Sequence, residues 1–456
     1  MTDIRRPYVT RGDIRRFGAG TLHGVARAEL IETTRRLVAA SPDSVVDFGR
    51  YLGVMDREIT LPEERLTERL AGRTVVVTGD SGCIGSALVR QLARFGVERV
   101  VGVSLDPGQG RESHRLDIRD GTALSALLSD IAPDIVFHLA AQRDPGLAET
   151  AVATTVTTNA LGTRNVVRAC ELAGVPQLVH ASTGKALRPY TTCVYAASKR
   201  LSERIVADAT VRGTLHGSSV RFTHVVNNAI LLRRLREWCA SQDTIRLHSL
   251  DTLFYAQSAI ESAQLLLVAA LAPSDGAFRV HSIRDLDWPF KLLDLALGVI
   301  AESGYPVPVQ EIGCEPGYER TPYAGLFDPA YSGDVSPLLN AIEAPTVTMS
   351  ASPDVDAACD RRTMTRELWR RLSRTERVAT AAEDSPELRS AFDELAQADL
   401  RQTISETAEG VLARLAWLTA PHRPDMIEEH LRIDDAVRGR LAALGRWNDL
   451  THSVAS

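Results

Sequence analysis

The chain has 456 residues, 44% of them hydrophobic and 24% charged, with a formal net charge of −6. That balance excludes disordered and collagen-like chains and leaves no electrostatic footprint for nucleic acid. No run of about 18 apolar residues and no charged segment leading into an apolar N-terminal stretch is present, so neither a membrane span nor a secretory leader is expected, and the address reads as cytoplasmic.

Residues 1–71 carry helical periodicity, as in Val25 to Ala40, and read as an N-terminal helical cap. At Thr74 the pattern changes. Thr74-Val-Val-Val-Thr78 predicts a strand, Gly79-x-x-Gly82-x-x-Gly85 follows at once, and a helix is predicted over 86–95. Glycines there permit a tight turn and let a pyrophosphate approach the helix N-terminus, where unpaired N–H groups and the dipole favour anions. Alternation continues with strands at 99–104 and 134–139 around a helix at 122–131, as in a doubly wound sheet. Asp117 is placed to bond adenine edges, and the small residues of His138-Leu-Ala-Ala-Gln142 let a cofactor come close. His138 itself reads as a satisfied structural histidine.

A helix over 152–173 carries Asn159, and a strand at 177–181 leads into Ser182-Thr183-Gly184-Lys185 and Tyr195-x-x-x-Lys199. The spacing of four puts phenol and ammonium on one helical face, an arrangement suited to proton transfer. Lysine is scarce elsewhere. Of 52 Lys+Arg residues only Lys185, Lys199 and Lys291 are lysine, and two of them fall in this one stretch, where a compact, tunable ammonium serves better than a planar guanidinium. A strand at 218–226 follows, then mixed elements to about 343 that read as a smaller substrate lobe, then charged amphipathic helices over 361–377, 385–398, 399–418 and 426–444. The six cysteines (Cys83, Cys170, Cys193, Cys239, Cys314 and Cys359) lack zinc or disulfide spacing and read as reduced thiols, so no metal is expected.

Thr78-Gly-Asp-Ser-Gly-Cys-Ile-Gly85, Asp117-Ile-Arg-Asp120, His138-Leu-Ala-Ala141, Ser182-Thr183 and Tyr195-x-x-x-Lys199 together resemble the extended short-chain dehydrogenase/reductase family. Within it the chain looks most like the polysaccharide-biosynthesis branch of nucleotide-sugar enzymes, whose best-known members are inverting UDP-N-acetylglucosamine 4,6-dehydratases. The resemblance covers about 73–343. It implies an α/β fold with a Rossmann-type doubly wound parallel sheet and a small C-terminal substrate lobe; with the helical N- and C-terminal extensions read from periodicity, the chain divides as 1–71, 72–228, 229–343 and 344–456. It further implies that Tyr195 is the acid/base on a sugar hydroxyl, that Lys199 lowers its pKa and holds the nicotinamide ribose, that Thr183 or Ser182 bonds the same oxygen, and that Lys185 removes a proton beside a ketone. The cofactor would be NAD, with NADP the alternative, tightly held and recycled. Its expected contacts are Gly79, Gly82, Cys83, Ile84, Gly85, Ser104, Asp106, Asp117, Ile118, Leu139, Ala140, Ala141, Asn159, Tyr195 and Lys199, with Asp106 taking ribose hydroxyls and Arg111 or Arg115 reversing the preference.

Three departures from the branch bear on the reaction. Gly184 stands where the dehydratases carry the aspartate that protonates the departing hydroxyl; Leu253 and Glu315 stand where arginines are usual. Arg221, Arg233 and Arg284 are candidates to replace those arginines on a diphosphate. An epimerase on a nucleotide-linked or related sugar is therefore expected, with a 4,6-dehydratase, a ketone reductase and a non-catalytic cofactor sensor as alternatives. The helical ends are expected to serve packing and self-association into a homo-oligomer rather than chemistry.

Overall fold

The structure is a computed structural model and describes residues 11–15, 24–108, 112–228, 230–314, 316–318, 334–381, 384–419 and 428–445. The chain divides into two compact units, one of Met1–Arg57, His224–Ala259 and Leu286–Pro322, the other of Glu58–Thr223, Ile260–Asp285 and Tyr323–Ser456. The expected division at 71, 228 and 343 follows sequence features, whereas each unit is assembled from three separated stretches.

The larger unit is built on a nine-stranded sheet. Its strands are β1 (Thr74–Thr78), β2 (Arg99–Ser104), β3 (Ser113–Arg115), β4 (Ile135–His138), β5 (Gln177–Thr183), β6 (His216–Phe222), β7 (Phe278–Ile283), β8 (Val347–Met349) and β9 (Val355–Asp360), in the order β8-β9-β7-β6-β5-β4-β1-β2-β3. β1 to β7 run parallel, while β8 and β9 add antiparallel to one side. Val75, Val76 and Val77 are wholly buried, as a strand covered on both faces requires. Strand order reverses between β1 and β4, and ligands of such sheets lie in the crevice outside the strand ends at that reversal.

Four helices flank the site: α1 (Cys83–Leu92), α2 (Gly121–Ile131), α3 (Gly162–Ala173) and α4 (Val194–Val211). Asp120 caps α2 by accepting from Ala123 N. The expected single helix over 152–173 is interrupted by a π turn, Thr157–Leu161, which contains Asn159; such bulges commonly mark functional positions. The tail expected to be wholly helical opens instead with β8 and β9. Val355 to Ala358 are buried because they pair with β7, far upstream, and no local periodicity announces that partner. Beyond them lie the helices α5 (Arg366–Ala381), α6 (Pro386–Ser405), α7 (Glu409–Leu418) and α8 (Glu428–Ala443); α6 runs through the break expected at 398–399, which falls instead after Ser405. Among the described residues no helix is long and apolar enough to cross a membrane.

In the smaller unit, helices Gly24–Ala40, Pro42–Gly53, Ile230–Ala240 and Leu292–Ser303 surround short strand pairs. Gly298 lets the last of these helices press on Phe48, since a Cβ there would lie 2.3 Å from that side chain. Tyr51 meets His224 Nε2 at 3.0 Å and packs edge-on to Phe290. The N-terminal helices thus share a core with stretches expected to form the substrate lobe.

Candidate active site

The glycine turn sits at the reversal point. Gly79 adopts φ +73°, its N–H donates to Val103 O at 2.7 Å, and a Cβ there would come within 2.8 Å of Ala140 N. Gly82 is the N-cap of α1, and a Cβ on Gly85 would stand 2.2 Å from Gly79 O. A side chain at Gly79 or Gly85 would keep α1 from folding back onto its own entry turn, and the first-turn N–H groups of Cys83, Ile84 and Gly85 at this helix start could hold a pyrophosphate. Leu139 N and Ala140 N are held by the Thr78 hydroxyl, so the exit of β4, with Ala141 next in line, lies against this turn.

Ser104 ends β2 buried, and among the described residues its hydroxyl has no hydrogen-bond partner. An orphaned hydroxyl at that strand end fits an adenosine ribose. Asp106 follows, exposed. Asp117 is engaged by Arg119 through its backbone N–H and guanidinium at 2.6 to 2.9 Å, which holds the carboxyl below its ordinary range. Ile118 packs at Gly162, where a Cβ would touch it. Asn159 uses its amide fully: Oδ1 accepts from Gln142 N at 2.8 Å, and Nδ2 donates to Gln142 O and to Ser198 Oγ. It therefore fixes the β4 exit to α4. Arg115 Nε donates to Leu105 O at the exit of β2, and Arg111 lies outside the described residues.

β5 and α4 bring the proton-handling groups together. Tyr195 is hydrogen bonded to Thr183, and burial pushes its phenol up to about 12 against the downward pull of that bond. Lys199 follows one turn along α4. Its ammonium turns to the sheet, donating to Ala181 O at 2.6 Å and meeting His180 Nε2 at 3.1 Å, and burial brings it from 10.5 to about 8. Ser182 Oγ is buried with no partner among the described residues, a second orphan at the strand end where a substrate hydroxyl would sit. Lys185 lies in the turn Gly184–Leu187 and is also lowered by burial to about 8. His138 is a structural histidine as expected, bonded to Thr78 and Thr163.

Residues 75–229 match the family model described as the NAD dependent epimerase/dehydratase family. This stretch belongs to that family. Among curated relatives, the chain is 27% identical over 289 residues to "Probable polysaccharide biosynthesis protein EpsC" of Bacillus subtilis (strain 168), covering 57% of this chain and 46% of the relative. It is 27% identical over 150 residues to "UDP-N-acetylglucosamine 4,6-dehydratase (inverting)" of Campylobacter jejuni, covering 30% of this chain and 44% of the relative. The chain thus spans about half the length of the curated relatives it matches. A solved structure, Pen from Bacillus thuringiensis, superposes with a TM-score of 0.54 at 19% identity, covering 68% of this chain and 98% of that one, a likeness of fold.

Around this epimerase-family segment lie features that sequence did not reveal. Gly184 is buried, and a Cβ there would meet Leu338 Cδ2 at 2.8 Å and Phe222 O at 3.4 Å. Leu338 therefore fills the space that a side chain at 184 would enter. Tyr195, Lys199 and Glu203 form one stripe of α4, and Glu203 grips Arg221 through two hydrogen bonds of 2.8 and 2.9 Å. Arg221, 1% exposed, also binds Glu343 twice and donates to Leu338 O. This corrects the expectation that Arg221 is available for a diphosphate: Glu203, Glu343 and Leu338 O take all of its donors, so the guanidinium has none to spare. Arg284 pairs with Asp356, and Arg233 is exposed beside Glu237. Leu253 lies in a two-residue strand, and Glu315 falls outside the described residues.

The C-terminal helices also reach the site's approach. Glu429 of α8 accepts from Thr191 Oγ1, Thr192 N, Thr192 Oγ1 and Arg188, while Asp393 of α6 accepts from Tyr190. Glu149 accepts from Val194 N at the start of α4. These carboxylates pin residues 190–194, which lead into α4 and Tyr195. Arg200 and Arg204 of α4 share Asp399 of α6 in the same way.

Proposed function

We propose that the protein is an NAD-dependent epimerase of a nucleotide-linked sugar, working by transient oxidation of a ring hydroxyl, with the dinucleotide retained between turnovers. The observation that carries this choice is Gly184 with Leu338 packed against it. Elimination needs an acid for the departing hydroxyl, and the position from which the relatives' resemblance would supply one holds only a leucine methyl. General acid catalysis is typically worth about a hundredfold to ten-thousandfold, so its loss weighs heavily against dehydration.

As the phenolate, Tyr195, oriented by Thr183, would take the proton of the sugar hydroxyl, and as the phenol it would return a proton to the same oxygen after the ketone has turned over in the site. Ser182 offers its unpartnered hydroxyl to the same oxygen. Lys199 carries a positive charge one turn along α4, which favours the phenolate that this step starts from. Gly79, Gly82 and the first turn of α1 would hold the dinucleotide's pyrophosphate, Ser104 and Asp106 its ribose. When bound, the nicotinamide accepts a hydride and returns it, so turnover is redox-neutral. Asp106, with Leu105 at the position where an NADP user would carry a phosphate-binding arginine, favours NAD over NADP; extraction of the bound dinucleotide checks this, and recovery of NADP alone would overturn it.

One observation favours 4,6-dehydration as a second reading. Burial holds Lys185 near 8, which leaves a neutral amine fraction near neutrality able to remove a proton beside a ketone. Incubation with a panel of nucleotide sugars in heavy water, followed by weighing the products, separates the two. A product of unchanged mass and inverted configuration supports epimerisation, and one lighter by a water overturns it.

A further inference from the structure

Thr78, His138, His180 and Ser219 are register partners on the adjacent strands β1, β4, β5 and β6. Paired residues of a sheet leave it on the same face, so these four form one polar row, and all are buried. Thr78 Oγ1 meets His138 Nδ1 at 2.8 Å, and His138 Nε2 meets Thr163 Oγ1 at 3.0 Å. His180 Nδ1 meets Ser219 Oγ at 2.8 Å, and the two imidazoles lie 5.6 Å apart. Lys199 descends from α4 onto this row, with His180 Nε2 and Ala181 O as its two partners among the described residues.

The partners determine the tautomer. An ammonium only donates, so Nε2 of His180 must be bare, and its proton then resides on Nδ1 and is donated to Ser219. Burial pushes both histidines down, His138 to about 3 and His180 well below its ordinary value, so neither competes with Lys199 for positive charge. The other charged group acting on the ammonium is on its own helix, Glu203 one turn later, which favours the charge; Tyr195 lies one turn earlier on that helix.

We propose that His180 is the positioning residue of Lys199: its bare Nε2, locked as an acceptor by the Nδ1–H bond to Ser219, holds the ammonium against the sheet and keeps it charged. An ammonium so held has two of its three N–H bonds fixed and one left for a ligand. The proposal rests on the reading that Lys199 works at the site, and it assigns a role that a leucine of similar bulk would fill as packing but not as chemistry.

The test uses the scarcity of lysine. With only Lys185, Lys199 and Lys291 in the chain, protein labelled with 13C at lysine Cε gives three side-chain signals, and the Lys199 signal is the one lost in Lys199→Arg. Its titration is followed in the wild type, His180→Leu, His180→Gln and Ser219→Ala. Losing an acceptor of the charged form lowers the midpoint, by about one pH unit in His180→Leu. The amide oxygen of Gln reaches the place of Nε2 and brings the midpoint back to that of the wild type. Ser219→Ala leaves the ring in place but frees its tautomer, so a smaller downward shift is expected even where His180→Leu does not fold. In turnover, His180→Leu should lose about tenfold or more in kcat with KM within about twofold, and its alkaline limb should move to lower pH with the lysine. A midpoint in His180→Leu equal to that of the wild type, or a shift in His180→Gln as large as in His180→Leu, overturns the positioning. A shifted lysine in a protein that turns over no sugar of the panel leaves the positioning standing and removes the proposed epimerase instead.

Discussion

A carboxylate introduced at position 184 should create a dehydratase only if Leu338 is shortened with it. Gly184 has an ordinary backbone conformation, so the obstacle is space. A Cβ stands 2.8 Å from Leu338 Cδ2 and 3.7 Å from Cδ1, where ordinary contact begins at 3.4 Å. Leu338 is 4% exposed and its carbonyl is held by Arg221, so the side chain must rotate within a filled core to admit the new group. Overpacking of this kind costs about 1–3 kcal/mol, and the carboxylate would be turned away from the substrate. In Gly184→Asp alone, elimination should therefore rise less than about tenfold. In Gly184→Asp with Leu338→Ala the acid has room, and elimination should rise by about a hundredfold or more, the lower end of what a general acid supplies. Leu338→Ala alone is the control for the cavity, with a stability cost of about 2–5 kcal/mol. The assay is the fraction of product lighter by one water, read by mass spectrometry beside a thermal melt of each variant. A wild type that releases water, or a folded double variant that does not, would refute the reasoning.

Tyr195→Phe should keep the fold and the dinucleotide but lose about a hundredfold to ten-thousandfold in kcat, measured by coupled product assay, because Thr183 cannot take a proton in its place. Arg221→Met should cost about 3–5 kcal/mol, a fall in Tm of roughly 5 °C by calorimetry, since it leaves the buried Glu203 and the half-buried Glu343 without their cation; an unchanged Tm would count against the network. The lysines also set a pH dependence. Lys185 and Lys199 titrate near 8 when folded and near 10.5 when unfolded, so between those values the unfolded chain binds more protons. Their contribution to stability must rise from pH 8 to pH 10, and urea unfolding at pH 8 and pH 9.5 should show a smaller rise in Lys185→Met than in the wild type.

Local chemistry was legible in the chain. β1 and β2 lie where their β-branched runs begin and end, the glycine turn follows β1 without a break, and Tyr195 and Lys199 share a helical face because four residues make about one turn. Those features depend on neighbours in sequence, and so does the family resemblance they carry. What folding decided depends on register between distant strands and on side chains far apart along the chain. β8 and β9 join the sheet only because β7 offers them an edge. His180 meets Lys199 and Ser219 only because β5 and β6 pair in one register, and a shift of one residue would turn it to the other face. Arg221 looked like a free cation until Glu203 and Glu343 closed on it. Gly184 looked like an empty place, and the tertiary structure filled it with Leu338, 154 positions along the chain, through packing that no local pattern encodes.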